Sequence, residues 1–309
     1  VWPMGETERS ERERNQERVM GRELLAAFDD LRLETRKPIS STDRGIEVDV
    51  WATQNELNAI EARLRSIGFT PFRPIRTTDH RFFLRLNEEG WAKVDVKMRG
   101  SQRASLVRNL PWALRRKRGM VVALLGADGA GKSTATQCLV TGMPFDVVSR
   151  YLGGTKRSTP ASAGARNSHP TRRWRSYPGV FRWMASIGRQ LWAIEFSARR
   201  GRVVICDRHP IEAGRLGSEP RSVKATKRLF IRFLTRSPDL VVLLDAPGTV
   251  LFARKGEHSP AELDRMTAHW RIVANKHSGM IISADQDASE VCRLIQEQIW
   301  ERLREIRSR

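Results

Sequence analysis

The sequence predicts an α/β protein in which a five-stranded parallel sheet, covered by helices on both faces, follows a smaller α+β domain. Three observations support this prediction. After Gly119, short apolar runs alternate with helix-competent stretches, which is the pattern of parallel strands joined by helical crossovers. The first of these runs leads through a glycine-rich turn into a polar helix. Before residue 99, apolar and acidic residues alternate at the period of a strand.

Composition divides the 309 residues into four parts, in keeping with a typical domain length of about 150 residues. Residues 1–36 form a charged N-terminal arm with an amphipathic helix, and residues 37–98 form the α+β domain. Residues 99–118 are a basic linker with seven Lys and Arg side chains and no acid. Residues 119–309 form the α/β domain.

Periodicity and capping residues predict the individual elements. In the first domain we expect strands over 46–52, 80–86 and 91–98. Thr53, with Glu56 three residues later, predicts the start of a helix that ends at Gly68. In the second domain the expected strands are 121–125, 145–151, 202–206, 240–244 and 280–283, and the closing helix covers 291–306.

The chain is strongly basic, with 55 Lys and Arg against 35 Asp and Glu and a formal net charge of +20. Such a charge attracts polyanions, including nucleotides, nucleic acid and acidic membrane surfaces. No acidic residue lies between Val147 and Ile194. Within this segment, the Gly, Ser, Pro and Arg content of residues 153–177 predicts a long mobile loop. Trp174 and Trp183, set among arginines, either stack on bases or anchor the loop to the core.

Cysteine usage and hydropathy indicate the compartment. Cys138, Cys206 and Cys292 are far apart and odd in number, which predicts neither a disulfide framework nor a metal site. No apolar run approaches the roughly 20 residues that span a bilayer, and the charged N-terminal arm lacks the apolar segment of a signal peptide. We therefore expect a soluble, cytoplasmic protein with no membrane partner. A homodimer is left open.

The glycine-rich turn has the pattern GxxxxGK[ST], formed by Gly126, Gly131, Lys132 and Ser133 between a strand and a helix. Glycines let the backbone curl so that successive amide N–H groups point at phosphate oxygens. Lys132 is then expected to reach the β- and γ-phosphates and Ser133 to ligate Mg²⁺, with the positive end of the helix favouring the anion. The pattern predicts a nucleotide site for ATP and Mg²⁺.

Two aspartates follow apolar strands of the predicted sheet. Asp207 comes after VVIC and precedes Arg208, and Asp245 comes after LVVLL. Ligands of parallel α/β sheets bind at the carboxyl ends of the strands, so Asp207 and Arg208 are expected to face the same crevice as the glycine-rich turn. Asp207 would help to hold Mg²⁺ there. For either aspartate, a helix cap or a turn is the alternative.

The stretches GADGAGKST, CDRH, PDLVVLLDAP with ARKGEH, and SADQDASEV together resemble the thymidylate kinase family of nucleoside monophosphate kinases over about residues 119–309. The resemblance implies a three-layer P-loop NTPase domain. It implies that Asp128 contacts the acceptor's sugar, while Asp207 and Arg208 serve the metal and the acceptor phosphate. The cofactor-binding residues it implies are Gly126, Asp128, Gly129, Ala130, Gly131, Lys132, Ser133 and Thr134, and the catalytic ones are Lys132, Asp207, Arg208 and Arg254.

The same resemblance implies a basic lid over the ATP phosphates. Here the lid would begin near Arg254 and include Lys255, with Arg265 and Arg271 as further candidates. Ala130 occupies a loop position that is arginine in some relatives. The lid would therefore supply the catalytic cation.

The acceptor is less well specified than the donor. Where the family usually has Arg-Glu-Pro-Gly-Gly-Thr, residues 150–155 read RYLGGT, so the acidic-proline pair is replaced. We expect phosphoryl transfer from ATP to a nucleoside monophosphate, dTMP-like, or to a related phosphorylated small molecule. The basic segments 99–119 and 147–194 support an alternative, a nucleic-acid-associated P-loop ATPase or polynucleotide kinase.

Three carboxylates in the first domain suggest a second metal site. Glu47 and Asp49 are two apart on one expected strand and share a face, and Asp95 lies on another strand. Over about residues 40–98 this pattern resembles the polymerase-β-like nucleotidyltransferase fold, which implies one or two Mg²⁺ ions. The glycine turn of that fold is absent from ISSTDRGIEVDV. A nucleotidyltransferase fused to a kinase and a binding or structural relic both remain open.

Overall fold

The computed structural model of the chain describes residues 22–24, 26–27, 40–42, 45–72, 80–87, 90–98, 118–152, 177–207, 209, 229, 236–256 and 258–308. The described residues form two five-stranded sheets. None of the helices among them is both long enough and apolar enough to span a bilayer.

The first sheet is mixed and is covered by one helix. Its elements are β1 (Ser40–Thr42), β2 (Gly45–Ala52), α1 (Gln54–Ser66), β3 (Thr70–Phe72), β4 (His80–Asn87) and β5 (Gly90–Met98). The strand order is β1-β2-β5-β4-β3, in which only the β2–β5 pairing is parallel among the described pairs. The predicted helix start is confirmed, since the Thr53 backbone N–H donates to Glu56 Oε2 over 2.6 Å.

Strand alternation separates a buried face from an acidic face in this sheet. Val48 and Val50 of β2 are fully buried and contribute to a core with Leu57 of α1, whereas Glu47 and Asp49 point the other way. Near the N-terminal arm, where we expected an amphipathic helix, the helical residues Leu24 and Ala27 are buried, and Leu24 joins the same core.

The second sheet is wholly parallel, as the sequence predicts. Its strands are β6 (Met120–Leu125), β7 (Val147–Tyr151), β8 (Val203–Asp207), β9 (Leu240–Asp245) and β10 (Met280–Ser283), in the order β10-β9-β6-β8-β7. Its helices are α2 (Lys132–Gly142), α3 (Tyr177–Arg199), α4 (Gly248–Lys255), α5 (Pro260–Lys276) and α6 (Ala288–Ser308). The strands agree with prediction to within two residues at each end.

Helices cover both faces of this sheet, which gives three layers. In β6, Met120, Val122 and Leu124 pack with residues of α2 and α6 in one core. The alternate residues pack on the opposite face, Val121 with residues of α3 and Ala123 with residues of α5. Both faces of the central strand are therefore buried, which explains its uninterrupted apolar sequence.

An aromatic cluster joins the two sheets into one continuous core. The Trp91 ring on β5 lies edge-on to Trp300 of α6, with centroids 5.2 Å apart, and edge-on to Phe145 at 5.7 Å. Phe72 stacks on Phe145 at 5.2 Å. Trp91 Nε1 donates to Gln296 Oε1 over 3.0 Å, so the buried indole N–H has its partner in α6.

The cysteine expectation is wrong. Cys138 of α2 and Cys292 of α6 form a disulfide, with Cα atoms 6.4 Å apart and a sequence separation of 154. The pair forms because α2 and α6 pack on the same face of the second sheet. Cys206 remains a free, buried thiol in β8, and burial raises its pKa to about 12.

Arg118, the last residue of the predicted linker, lies against the second sheet. Its Nη1 donates to Asp239 Oδ2 over 2.6 Å and its Nη2 to Glu195 Oε2 over 3.1 Å. Asp239 Oδ2 also accepts from the Val121 backbone N–H at 2.8 Å. This half-buried network connects the start of β6 to α3 and β9. The remainder of the predicted linker, residues 99–117, lies outside the described residues.

We expect Arg118→Met to lower the free energy of unfolding by about 3 kcal/mol, because it leaves Asp239 without its cation in a partly buried site. Denaturant unfolding measures this, with the exposed Arg265→Met as control. If Arg118→Met lowered the free energy of unfolding by less than Arg265→Met does, the role given to Arg118 would be contradicted.

Acid provides a second readout of the same network. Burial opposes ionisation of Glu195, but hydrogen bonds from Arg118 and Arg199 outweigh it and hold the pKa below its usual 4.5. The stabilisation by Glu195 is complete above pH 4.5 and is lost as the pH falls through the lower pKa of the folded state. When the pH is lowered below 4.5, the free energy of unfolding should therefore fall less in Arg118→Met than in the unaltered chain.

Candidate functional site

A cavity of about 770 Å³ opens at the carboxyl ends of β6 and β8. The glycine-rich loop (residues 126–131) contributes its second half to the lining, together with the first turn of α2, and the segment that leads into α6 contributes further residues. The lining residues are Asp128, Gly129, Ala130, Gly131, Lys132, Ser133, Thr134, Ala135, Tyr151, Asp207, Leu244, Arg254, Lys255, Ala284, Gln286, Asp287, Ala288 and Val291. The cavity thus brings together every residue of this domain that was predicted to be catalytic or cofactor-binding, except Gly126 and Arg208.

Close backbone approaches explain two glycines of the loop. Gly126, at φ +152°, directly follows β6, and a Cβ added there would lie 2.9 Å from the Leu244 carbonyl oxygen. Gly129, at φ +90°, would place a Cβ 2.8 Å from the Leu251 carbonyl oxygen. Any side chain would therefore be strained at both positions and would push the loop away from its neighbours.

Lys132 is the first residue of α2 and its ammonium lies within the curve of the loop. Nζ donates to the carbonyl oxygens of Gly126 at 2.8 Å and Ala127 at 2.9 Å. These contacts fix the charge beside the N-terminus of a helix that has no acidic residue in its first turn. Positive charge and the N–H groups of the first helical turn at one place make this part of the cavity suited to an anion.

Asp207 is the last residue of β8. It lies in register with Leu124 of β6, next to the end of β6 that leads into the glycine-rich loop. Its Oδ1 is buried and has no hydrogen-bond partner among the described residues. A buried carboxylate oxygen without a donor is costly unless a cation satisfies it. Asp207 and Ser133 line the same cavity, so a divalent cation between them fits this donor set.

Of the proposed lid residues, Arg254 and Lys255 line the cavity. Arg254 Nη1 donates to the Ala284 carbonyl oxygen over 2.8 Å, which ties the end of α4 to the end of β10. Arg271 is instead held by Asp245, which accepts from its Nε at 3.0 Å and its Nη2 at 3.1 Å. Arg265 is exposed on α5 and is not among the residues that line this cavity.

A buried histidine follows Asp207 two residues later in sequence. Burial of His209, together with the charge of His277, lowers its pKa to about 4. It is therefore uncharged near neutral pH, and it is not among the residues that line the cavities described here. Arg208 lies outside the described residues, as do Trp174 and the side chain of Trp183.

Tyr151 is a site residue that sequence reasoning noted only as a departure from a family pattern. It ends β7 and is half exposed. It lines the 770 Å³ cavity, called the main cavity from here on, and two smaller ones. One of these, about 330 Å³, also contacts Ser133, Arg150 and Asp207. Its position at a strand end beside Asp207 was the available signal, since β7 pairs with β8 and places Tyr151 opposite Asp207.

Asp128 points toward a histidine of the predicted lid segment. His258 Nε2 lies 4.0 Å from Asp128 Oδ2, which makes an ion pair only when the imidazole is protonated. Asp128 therefore faces the α4–α5 connection, on the same cavity as Lys255.

The three carboxylates of the first sheet converge as predicted. Glu47, Asp49 and Asp95 each offer an oxygen within 4.8 Å of the others, and Asp95 is only 6% exposed. Glu47 also accepts from Lys93 Nζ over 2.6 Å. That ammonium lies 4.5 Å from the centre of the Phe82 ring, so it is held at the edge of the carboxylate cluster.

Comparison with known proteins gives no family assignment. No protein-family model matches the chain, and no curated protein is significantly similar to it.

Proposed function

We propose that the chain catalyses phosphoryl transfer from ATP, with Mg²⁺, to a small phosphorylated acceptor, most simply a nucleoside monophosphate as in the thymidylate kinase family that it resembles. The observation that carries the proposal is the main cavity, which is lined by Lys132 and Ser133 on one side and by Asp207, Arg254 and Lys255 on others. This combination of cations, a hydroxyl and a buried carboxylate is the set that phosphoryl transfer requires.

Each residue has a role that its position supports. Loop amides and Lys132 would hold the β- and γ-phosphates, while Ser133 and the buried Oδ1 of Asp207 would hold the metal. Bound Mg²⁺ would supply charge neutralisation for the transferred group. Arg254, oriented by its bond to the Ala284 carbonyl oxygen, would contribute a further positive charge to the same cavity.

The acceptor would enter beside β7. The 330 Å³ cavity shares Ser133, Tyr151 and Asp207 with the main one, so an acceptor phosphate there would face the donor. Arg150 provides a cation for that phosphate, and the half-exposed Tyr151 ring provides a surface for a sugar or base.

The test is a panel assay with the purified full chain, Mg²⁺ and ATP. Acceptors should include nucleoside monophosphates, sugar phosphates and 5′-hydroxyl oligonucleotides, with product separated by chromatography so that ATP hydrolysis is not mistaken for transfer. Transfer to one acceptor class supports the proposal and identifies the substrate. Tight ATP binding without transfer to any acceptor would sink it. Transfer only to oligonucleotides would favour a polynucleotide kinase.

A second candidate function rests on the convergence of Glu47, Asp49 and Asp95, which supports metal-dependent nucleotidyl transfer by the first sheet. Lys93 occupies one oxygen of Glu47, Oε1, so the other oxygen of that carboxylate would be the one to bind a metal. We expect Asp49→Asn to remove one equivalent of Mn²⁺ from a titration without nucleotide, with Asp146→Asn as an exposed control. Unchanged stoichiometry, or labelled nucleotidyl transfer that persists in Asp49→Ala, would exclude this site.

A further inference from the structure

The second half of α3 carries an aromatic pair that faces solvent. Trp192 is 66% exposed and Phe196 is 38% exposed. They are four residues apart on one helix face, and their rings stack with centroids 4.8 Å apart and planes inclined by 15°. The indole thus presents a flat surface that is preordered by the ring beneath it.

Arginines extend this stripe at both ends. Arg189 and Arg199 are exposed at helical spacings from Trp192 that place them on the same face. The guanidinium of Arg200, just after the helix, lies 4.2 Å from the centre of the Phe196 ring. We call Arg189, Trp192, Phe196, Arg199 and Arg200 the α3 stripe.

The stripe carries a net positive charge. Glu195 is the single acidic residue from 184 to 200, and it accepts from Arg118 at 3.1 Å and from Arg199 at 3.0 Å. One of the three stripe arginines is therefore partly compensated, while Arg189 and Arg200 have no acidic partner among the described residues and add positive charge beside the rings.

The stripe continues into the candidate active site. A cavity of about 380 Å³ is lined by Arg189 and Gln190 of α3 and by Arg150 and Tyr151 of β7. Arg150 and Tyr151 also line the cavity that reaches Ser133 and Asp207. A chain of three cavities thus leads from the glycine-rich loop to the stripe.

Charge and shape select the partner. A second copy of the same stripe would bring arginines against arginines, which is unfavourable. An anionic membrane surface would be bound through a broad apolar helix face, whereas this stripe offers two stacked rings between arginines. Flat aromatic surfaces with flanking cations are the arrangement that binds single strands, since every base has a π-face and every linkage a negative charge.

We propose that the α3 stripe binds single-stranded nucleic acid, with a base stacked on Trp192 and backbone phosphates contacting Arg189 and Arg199. This surface function is separate from the proposed phosphoryl transfer and does not depend on it. The stripe would also be a place at which the net charge of +20 attracts a polyanion.

Fluorescence anisotropy of the full chain tests the proposal, with a labelled oligothymidylate of about 20 nucleotides, its RNA counterpart and a duplex, and without ATP. Binding should prefer the single strands and weaken between about 50 and about 200 mM salt. The double variant Trp192→Ala/Phe196→Ala should raise the Kd about tenfold or more. Arg189→Gln/Arg199→Gln should make the salt dependence shallower.

Matched controls are Ile272→Ala, an exposed apolar side chain on α5, and Arg265→Gln, an exposed arginine on the same helix. Both should bind as the unaltered chain does, and thermal unfolding should show all variants folded. The proposal is overturned by absence of single-strand binding, or by unchanged affinity in the Trp192→Ala/Phe196→Ala variant. Trp192-dependent binding to vesicles with acidic lipids, without binding to oligonucleotides, would assign the stripe to membranes. Because no ATP is present, failure here leaves the panel assay for phosphoryl transfer unaffected.

Discussion

Replacing Lys132 by alanine is expected to lower kcat for phosphoryl transfer by about 10²–10³-fold, because it removes a preorganised charge from the place where negative charge develops. Lys132 Nζ donates to the carbonyl oxygens of Gly126 and Ala127, which hold the ammonium inside the glycine-rich loop. The measurement is steady-state kinetics with the acceptor found in the panel assay. Lys276→Ala, at an exposed end of α5, is the charge-matched control.

Lys132 also donates hydrogen bonds to two loop carbonyl oxygens, so its replacement can affect the stability of the fold as well as the reaction. We expect only a modest change in thermal unfolding, since the Cα path of the loop is set by the close approaches of Gly126 and Gly129. Lys132→Arg separates charge from shape, because the longer guanidinium keeps the charge but not the position. Turnover retained in Lys132→Ala would contradict the assigned role, whatever the effect on stability.

The second large effect concerns the disulfide between Cys138 and Cys292. Reduction by a dithiol should lower the free energy of unfolding by about 2–5 kcal/mol, since the bond closes a loop of more than a hundred residues in the unfolded chain. Denaturant unfolding with and without the dithiol measures the change with no alteration of side-chain volume.

Two controls make the disulfide experiment decisive. The Cys138→Ala/Cys292→Ala variant should show no response to the dithiol, because Cys206 is a buried thiol in both forms. Thiol titration of the unfolded, unreduced chain should find one free thiol. Three free thiols, or identical unfolding midpoints with and without the dithiol, would contradict the pairing.

Features that depend on local sequence were predictable. Apolar runs gave the five parallel strands of the second sheet, and Thr53 with Glu56 gave the start of α1. The cavity residues were predictable for the same reason, since GADGAGKST is contiguous and Asp207 ends a strand beside β6. Arg254 at the cavity came from a resemblance rather than from periodicity.

Features that depend on which surfaces meet were not predictable. Periodicity shows that Trp91 and Trp300 have buried faces, but not that they face each other. The pairing of Cys138 with Cys292 requires α2 and α6 to lie side by side, and the pairing of Arg271 with Asp245 requires α5 to approach β9. The α3 stripe was missed because Trp192 and Phe196 at helical spacing are equally compatible with a core face.

The position of Trp91 has a consequence for synthesis of the chain. Its hydrogen-bond partner Gln296 is 205 residues further on, and Trp300 follows it. A chain that emerges from the ribosome N-terminus first therefore completes the first sheet long before the surface that covers Phe72, Leu84 and Trp91 exists. We therefore expect the nascent protein to expose these apolar side chains during that interval, and to be open to aggregation until α6 is released.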